Sequence, residues 1–162
     1  MSRDTIALIA RTLEPARGRA WHGGPTPLGA VRGVTAAEAR WVPAPKRHCI
    51  WTLTLHIAYW KYAVRRHLEP VARGSFPRSP ANWPALPATP DEAAWRADRA
   101  LLALEHRLFV EALRKFDPAK LNRRPPRKRS WTYGELIIGV LAHDVYHTGQ
   151  IQLIKRLWAS AE

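Results

Sequence analysis

His143 and His147 stand four residues apart in the segment His143-Asp144-Val145-Tyr146-His147. On an α-helix that spacing stacks both imidazoles on one face, as two ligands of a single metal ion must be presented. Leu136, Val140, His143, His147, Gln150, Ile154 and Leu157 recur at alternating steps of four and three, the seam of a helix packed in a bundle. The two rings therefore fall where core residues belong. Each then needs a hydrogen-bond partner or a metal, because leaving a buried ring unsatisfied costs about 1–3 kcal/mol.

A catalytic zinc-type site takes three protein ligands and keeps a fourth position open. The third ligand has to come from the other five histidines. In the segment from Lys46 to His67, Ile50, Leu53, Ile57, Trp60 and Val64 keep a three-four step, and His56 lies at the edge of that stripe between Leu53 and Trp60. It can point into the bundle beside the seam, whereas His48 faces away. His67 shares the His56 face but lies roughly 16 Å further along the helix, and Cys49 lies about 10 Å away as a small core residue. His106 falls on the stripe Leu102, Phe109, Leu113 as a fourth ligand or a buried neighbour, and His22 sits in a loop that could border a pocket mouth. Three neutral imidazoles suit zinc or nickel, and iron is also compatible.

Asp144 invites comparison with His-Glu-x-x-His, in which the residue after the first histidine is the general base. Aspartate is one methylene shorter, however, and Gly149-Gln150-Ile151 stands where the longer metalloprotease motif would continue. Asp144 is accordingly expected behind the ligands or on the surface. Tyr146, Gln150 and Tyr59 could donate hydrogen bonds near the site or simply pack in the bundle.

Three threonine–glutamate pairs, Thr35–Glu38, Thr89–Glu92 and Thr132–Glu135, have the spacing of capping boxes. The second carries Pro90 at the first helical position and predicts a helix to about Lys115, ahead of Asp117-Pro118. A first helix is predicted from Arg3 to Leu13, a second long one from Lys46 to His67, and a last one from Thr132 to Trp158. Trp21 to Leu28 reads as a glycine- and proline-broken crossing ending in one or two short helical turns, and Gly74 to Ala88 as a long connection without period. No stretch reads convincingly as a strand. The expectation is all-α: a four-helix bundle with extra short helices in its connections, forming one domain over residues 1–162.

The chain carries 26 Lys and Arg against 13 Asp and Glu, a formal charge of +13, which raises the question of nucleic acid. The one dense run, Arg123-Arg124-Pro125-Pro126-Arg127-Lys128-Arg129, lies in a proline-broken connection and not along a helix that could enter a groove. A rim attracting an anionic small molecule is the preferred reading, and nucleic acid is not the expected partner. The longest apolar run, Leu136 to Ala142, is far short of a membrane span. Asp4 and Arg11 break up the N-terminal apolar residues, which does not suit a signal peptide, and the single cysteine permits no intrachain disulfide. A cytoplasmic protein is expected.

The segments Trp21-His22-Gly23, Ile50 to Trp60 and His143-Asp144-Val145-Tyr146-His147-Thr148-Gly149-Gln150-Ile151 together resemble the DinB/YfiT-like family of metal-dependent enzymes, nearly end to end. The resemblance implies a four-helix bundle whose three-histidine site binds a divalent metal, and it maps the ligands onto His56, His143 and His147, the residues that periodicity reaches separately. Characterised members of that family include bacillithiol S-transferases and mycothiol-dependent maleylpyruvate isomerases, and homodimers are common among them. The resemblance thus implies a small-molecule enzyme, either a transferase using a low-molecular-weight thiol or a hydrolase using water, with the reacting water or thiol at the metal's open position. The competing reading is a non-enzymatic protein whose basic surface binds nucleic acid or an acidic partner.

Overall fold

In the computed structural model the described residues are 3–15, 23–69, 74–126 and 130–161. They form six α-helices: α1 (Arg3–Leu13), α2 (Pro27–Ala30), α3 (Ala36–Arg40), α4 (Ile50–Leu68), α5 (Glu92–Lys115) and α6 (Tyr133–Ala159), with a 3-10 turn at Pro118–Lys120. No strand occurs among the described residues. The protein is all-α, as its sequence predicts, and the short helices α2 and α3 occupy the first crossing.

Local chemistry sets the ends of these helices. The Thr132–Glu135 box closes as expected: the Glu135 N–H donates to the Thr132 hydroxyl at 3.2 Å and the Thr132 N–H to the Glu135 carboxylate at 2.6 Å. Thr35 caps α3 by accepting from the Glu38 N–H at 3.2 Å. The box expected at Thr89 does not form. Asp91 caps α5 instead, accepting from the Ala94 N–H at 2.8 Å, and Glu92 reaches across to accept the Ala36 N–H at 2.6 Å, tying the start of α5 to that of α3. Pro90 consequently stands before the cap and not inside the helix. The start of α4 also departs from expectation, at Ile50 instead of Lys46. Lys46 has a φ of +61°, which no right-handed helix accommodates, and the Thr52 hydroxyl fixes the new start by accepting the Cys49 N–H at 3.2 Å.

Two apolar clusters divide the bundle. One joins Ile50–Ala58 of α4, Trp95 and Leu102 of α5, and Ile151 and Ile154 of α6 with α2 and α3. The other joins Val64 and Leu68 of α4, Phe109–Phe116 around the end of α5, and Ile137 and Val140 of α6 with Ile6, Ile9 and Leu13 of α1. Helices α4 and α5 therefore run in the same direction and α6 runs against both. Two parallel neighbours need a crossover connection, and its described residues 74–91 pass back along the outside of α4.

Between the clusters lies a polar layer containing buried Lys61, Glu105, His106, Asp144, His147 and Thr148. Glu105 pairs with Arg65 at 3.1 Å, and Lys61 with Asp144 at 2.5 Å. Burial raises the Asp144 carboxyl above its ordinary range, against the pull of Lys61. Burial likewise raises Glu105, opposed by Arg65. The functional side chains are set into this layer.

Candidate metal centre

Helix α4 brings His56, and α6 brings His143 and His147, to one point at the edge of the polar layer. One ring nitrogen from each lies within 4.8 Å of the other two, the only such grouping of metal-ligating side chains among the described residues. The ring centroids of His143 and His147 are 4.3 Å apart, and His56 is 4.8 Å from each. His56 and His147 are buried, while His143 is half-buried.

Hydrogen bonds on the outer ring nitrogens orient the rings. A backbone carbonyl can only accept, so His56 donates Nδ1–H to the Asn82 carbonyl at 2.5 Å and keeps a lone pair on Nε2. His147 donates Nδ1–H to the Gln150 side-chain oxygen at 2.6 Å, which also leaves Nε2 free. His143 directs Nε2 at the His56 Nε2, 3.0 Å away. Burial lowers the His56 imidazole to about 4, with the Asn82 carbonyl opposing. Burial, then His147 and His56, lower His143 to about 3. His147 is lowered as well, mainly by burial and against the Gln150 bond. The rings are therefore neutral at ordinary pH, as ligands must be.

The donor set fits a divalent ion. Zn–N bonds of about 2.0–2.1 Å place tetrahedral ligand nitrogens about 3.3 Å apart, close to the His56–His143 separation. His143 Nδ1 is buried and has no hydrogen-bond partner in the protein. A cation there would take one lone pair from each ring, with the His143 proton then on Nδ1.

The crossover supplies the outer wall. Asn82 has a φ of +71°, a left-handed conformation that asparagine tolerates better than most residues. From it the carbonyl meets His56, while the side-chain oxygen accepts the Trp60 Nε1–H at 2.9 Å. The indole of Trp83 stacks on His56 at 3.6 Å and 5°, and on His48 at 3.7 Å and 6°. Two rings that close and that parallel must lie on opposite faces of the indole. His48 thus stands before α4 and belongs to the surroundings of the site through Trp83, whereas the sequence places it facing away. Nothing in the proline-rich connection marks Asn82 or Trp83 as neighbours of His56, and sequence reasoning misses both.

The remaining candidates take other places. His106 is not part of the cluster; it is a buried neighbour in the polar layer, lowered to about 3 by burial and then by Lys61, with Glu14 at 4.0 Å. His67 borders a cavity at the far end of α4 with Phe116 and Tyr133, and Cys49 is buried at the start of α4. Tyr146 is exposed, touching His147 edge-on, and Tyr59 packs on Trp60 and Phe76. His22, Trp21, Arg127 and Arg129 lie outside the described residues. Arg123 and Arg124 are exposed in the turn before α6 and line neither the groove at Gln150 nor the cavity at His143; among the described residues, Lys46 and Arg47 line that groove with Gln150 and Leu153.

Asp144 is a buried residue of the polar layer, and Lys61, which sequence reasoning passes over, is its partner. Its signal is the step Ile57, Lys61, Val64, Leu68, which continues the apolar stripe through a lysine. No helix among the described residues is long and apolar enough to cross a membrane.

The protein is an all-α bundle in which two antiparallel helices bring together three neutral imidazoles that could hold a metal ion. Residues 27–151 match the family model of the DinB superfamily, and the chain belongs to that superfamily. The match spans α2 to α5 and most of α6, including all three histidines. Comparison with curated proteins and with solved structures found no match.

Proposed function

We propose that this chain is a divalent-metal-dependent enzyme acting on a small molecule, with His56, His143 and His147 as the ligands and a low-molecular-weight thiol or water as the reacting partner. The observation that carries the reading is the convergence of one ring nitrogen from each of three neutral imidazoles, with His56 and His147 held by outer hydrogen bonds that they donate to Asn82 and Gln150. Such outer partners fix ring orientation and ligand basicity. When bound, a divalent ion supplies Lewis acidity and eases loss of a proton from water or a thiol. Trp83 shields the His56 ring from solvent, and the Lys61–Asp144 pair holds α4 against α6, so the three rings meet at a set spacing. Zinc or nickel suits the donor set, and iron is compatible. The reaction is S-transfer or hydrolysis, and the groove bearing Lys46 and Arg47 favours an anionic thiol or substrate.

The reading also includes a cytoplasmic homodimer. Ile138, Val145 and Leu153 leave about half of their surface exposed on the outer side of α6, a face suited to a second copy.

Metal analysis of the purified protein beside His56→Ala and His147→Ala tests the site. About one divalent ion per chain is expected in the wild type and a large loss in both variants. A wild type without stoichiometric metal after reconstitution, or variants that retain it, would overturn the assignment. Salt-sensitive binding to unrelated DNA duplexes, indifferent to chelator, would favour the basic-surface reading instead.

A further inference from the structure

An apolar slot of about 250 Å³ opens between α4 and α6, with His143 in its wall and Trp60, Trp131, Leu136, Gly139 and Val140 around it. Its few polar groups are mostly engaged. The Trp60 indole N–H is bound to Asn82, and the Glu135 carboxylate is held by the Thr132 N–H and hydroxyl at 2.6 and 2.8 Å. What the slot offers a ligand is apolar ring surface and the edge of His143, whose centroid is 6.0 Å from that of Trp60.

Gly139 is the second observation. Glycine inside a helix costs roughly 0.5–1 kcal/mol relative to alanine, and packing usually explains it. Here a Cβ built on Gly139 meets no atom within 4 Å. No close approach requires glycine at this position, but any larger side chain would enter the slot. Trp131, just before α6, also leaves 55% of its surface exposed, although aromatic side chains of that size usually gain most from burial.

We propose that this slot seats a neutral aromatic group of the small-molecule substrate, against the face of Trp60 and beside His143. The size fits, since a cavity of about 150 Å³ accepts benzene, so this one admits a substituted ring or two fused rings. The charge fits too: among the described residues no cation lines the slot, and Lys46 and Arg47 lie on the other flank, by Gln150, about 10 Å along α6 from His143. The assignment of this group to a substrate rests on reading the triad as a metal centre; the binding itself does not.

The test is calorimetric titration of the full chain, metal-loaded and chelated, with 2-naphthol as the neutral probe. Wild type, Gly139→Ala, Gly139→Leu and Trp131→Ala are compared at low and high salt. Gly139→Leu improves helix propensity, so the fold should hold, and thermal melts verify it. Naphthol affinity should fall roughly tenfold or more in Gly139→Leu, less in Gly139→Ala, and be insensitive to salt, while metal content stays at the wild-type value. Unchanged affinity in Gly139→Leu overturns the proposal. So does binding that weakens with salt and is lost in Lys46→Ala/Arg47→Ala, which would place the ligand in the cationic groove. A Gly139→Leu protein that loses only self-association would assign the slot to a second copy of the chain and overturn it as well. A wild type that takes up no metal yet binds naphthol in a Gly139→Leu-sensitive way would sink the metal assignment and leave the slot standing.

Discussion

Replacing Lys61 by methionine isolates what the polar layer does. Its ammonium lies 2.5 Å from Asp144, with side-chain exposures of 0% and 7%, and the other Asp144 oxygen has no partner in the protein. Removing one member of a buried pair strands the other charge and costs about 3–5 kcal/mol, a large part of the roughly 5–15 kcal/mol that holds a typical domain together. Replacing both is different. Burial raises Asp144 more strongly than Lys61 lowers it, so ionised Asp144 is penalised relative to the unfolded chain. Its stabilising contribution is therefore full below the ordinary carboxyl range and is lost as pH rises through the raised folded value. On that footing Lys61→Met/Asp144→Leu should be neutral or more stable than wild type by up to about 4 kcal/mol, giving a strongly non-additive cycle. Urea unfolding of the chelated protein, followed by circular dichroism at neutral pH, measures all four corners. Metal affinity separates positioning from stability: a fold-competent double variant should bind metal more weakly because the tie between His56 and the α6 histidines is gone. A single Lys61→Met costing less than about 1 kcal/mol, or a double variant losing the sum of the two singles, would refute the reasoning.

Two other perturbations probe separate parts of the structure. His106 is lowered to about 3 in the fold against about 6.5 unfolded, so its contribution is complete above the unfolded value and lost as pH falls toward the folded one. It should remove about 2 kcal/mol of stability between pH 6.5 and 5, and urea titrations of His106→Leu should show a correspondingly shallower acid dependence. Trp83→Ala removes the stack on both His48 and His56; ring pairs of this kind contribute about 0.5–1.5 kcal/mol beyond burial, and chelator competition should show roughly tenfold weaker metal binding. Unchanged affinity there would mean that the Asn82 carbonyl alone holds His56.

The sequence disclosed the elements wherever side chains write their own boundary. Thr132 with Glu135 announces α6, and the His143–His147 spacing and the stripe carrying His56 announce the triad. Its readings failed where an interaction comes from elsewhere in the chain. Glu92 has the spacing to close a box with Thr89 but spends its carboxylate on Ala36 in α3, a choice invisible to local pattern. The seam of α6 is a second case. The helix carries apolar residues all round, so a three-four step can be drawn through more than one stripe, and the one through Leu136, His143 and Leu157 ends on a residue that is 43% exposed. The buried stripe runs through Ile137, Val140, Asp144, His147, Ile151 and Ile154. Placing it correctly required accepting an aspartate in the core, which is reasonable only once Lys61 is known to face it.

The least legible part of the site follows from topology. Because α4 and α5 run parallel, the chain must return along the bundle between them, and a segment without period gives no register by which to say which residue lands on which turn of α4. Asn82 and Trp83 land on His56 and Trp60. That closes the crossover side of the triad, as the Lys61–Asp144 pair closes the core side. Among the described residues, the Trp60–Trp131 slot at His143 and the groove at Gln150 reach the triad's surroundings, one apolar and one bearing cations. On the proposed reading, a ligand approaching the three imidazoles would be sorted by polarity: an aromatic group along the N-terminal half of α6, and an anionic group along its C-terminal half.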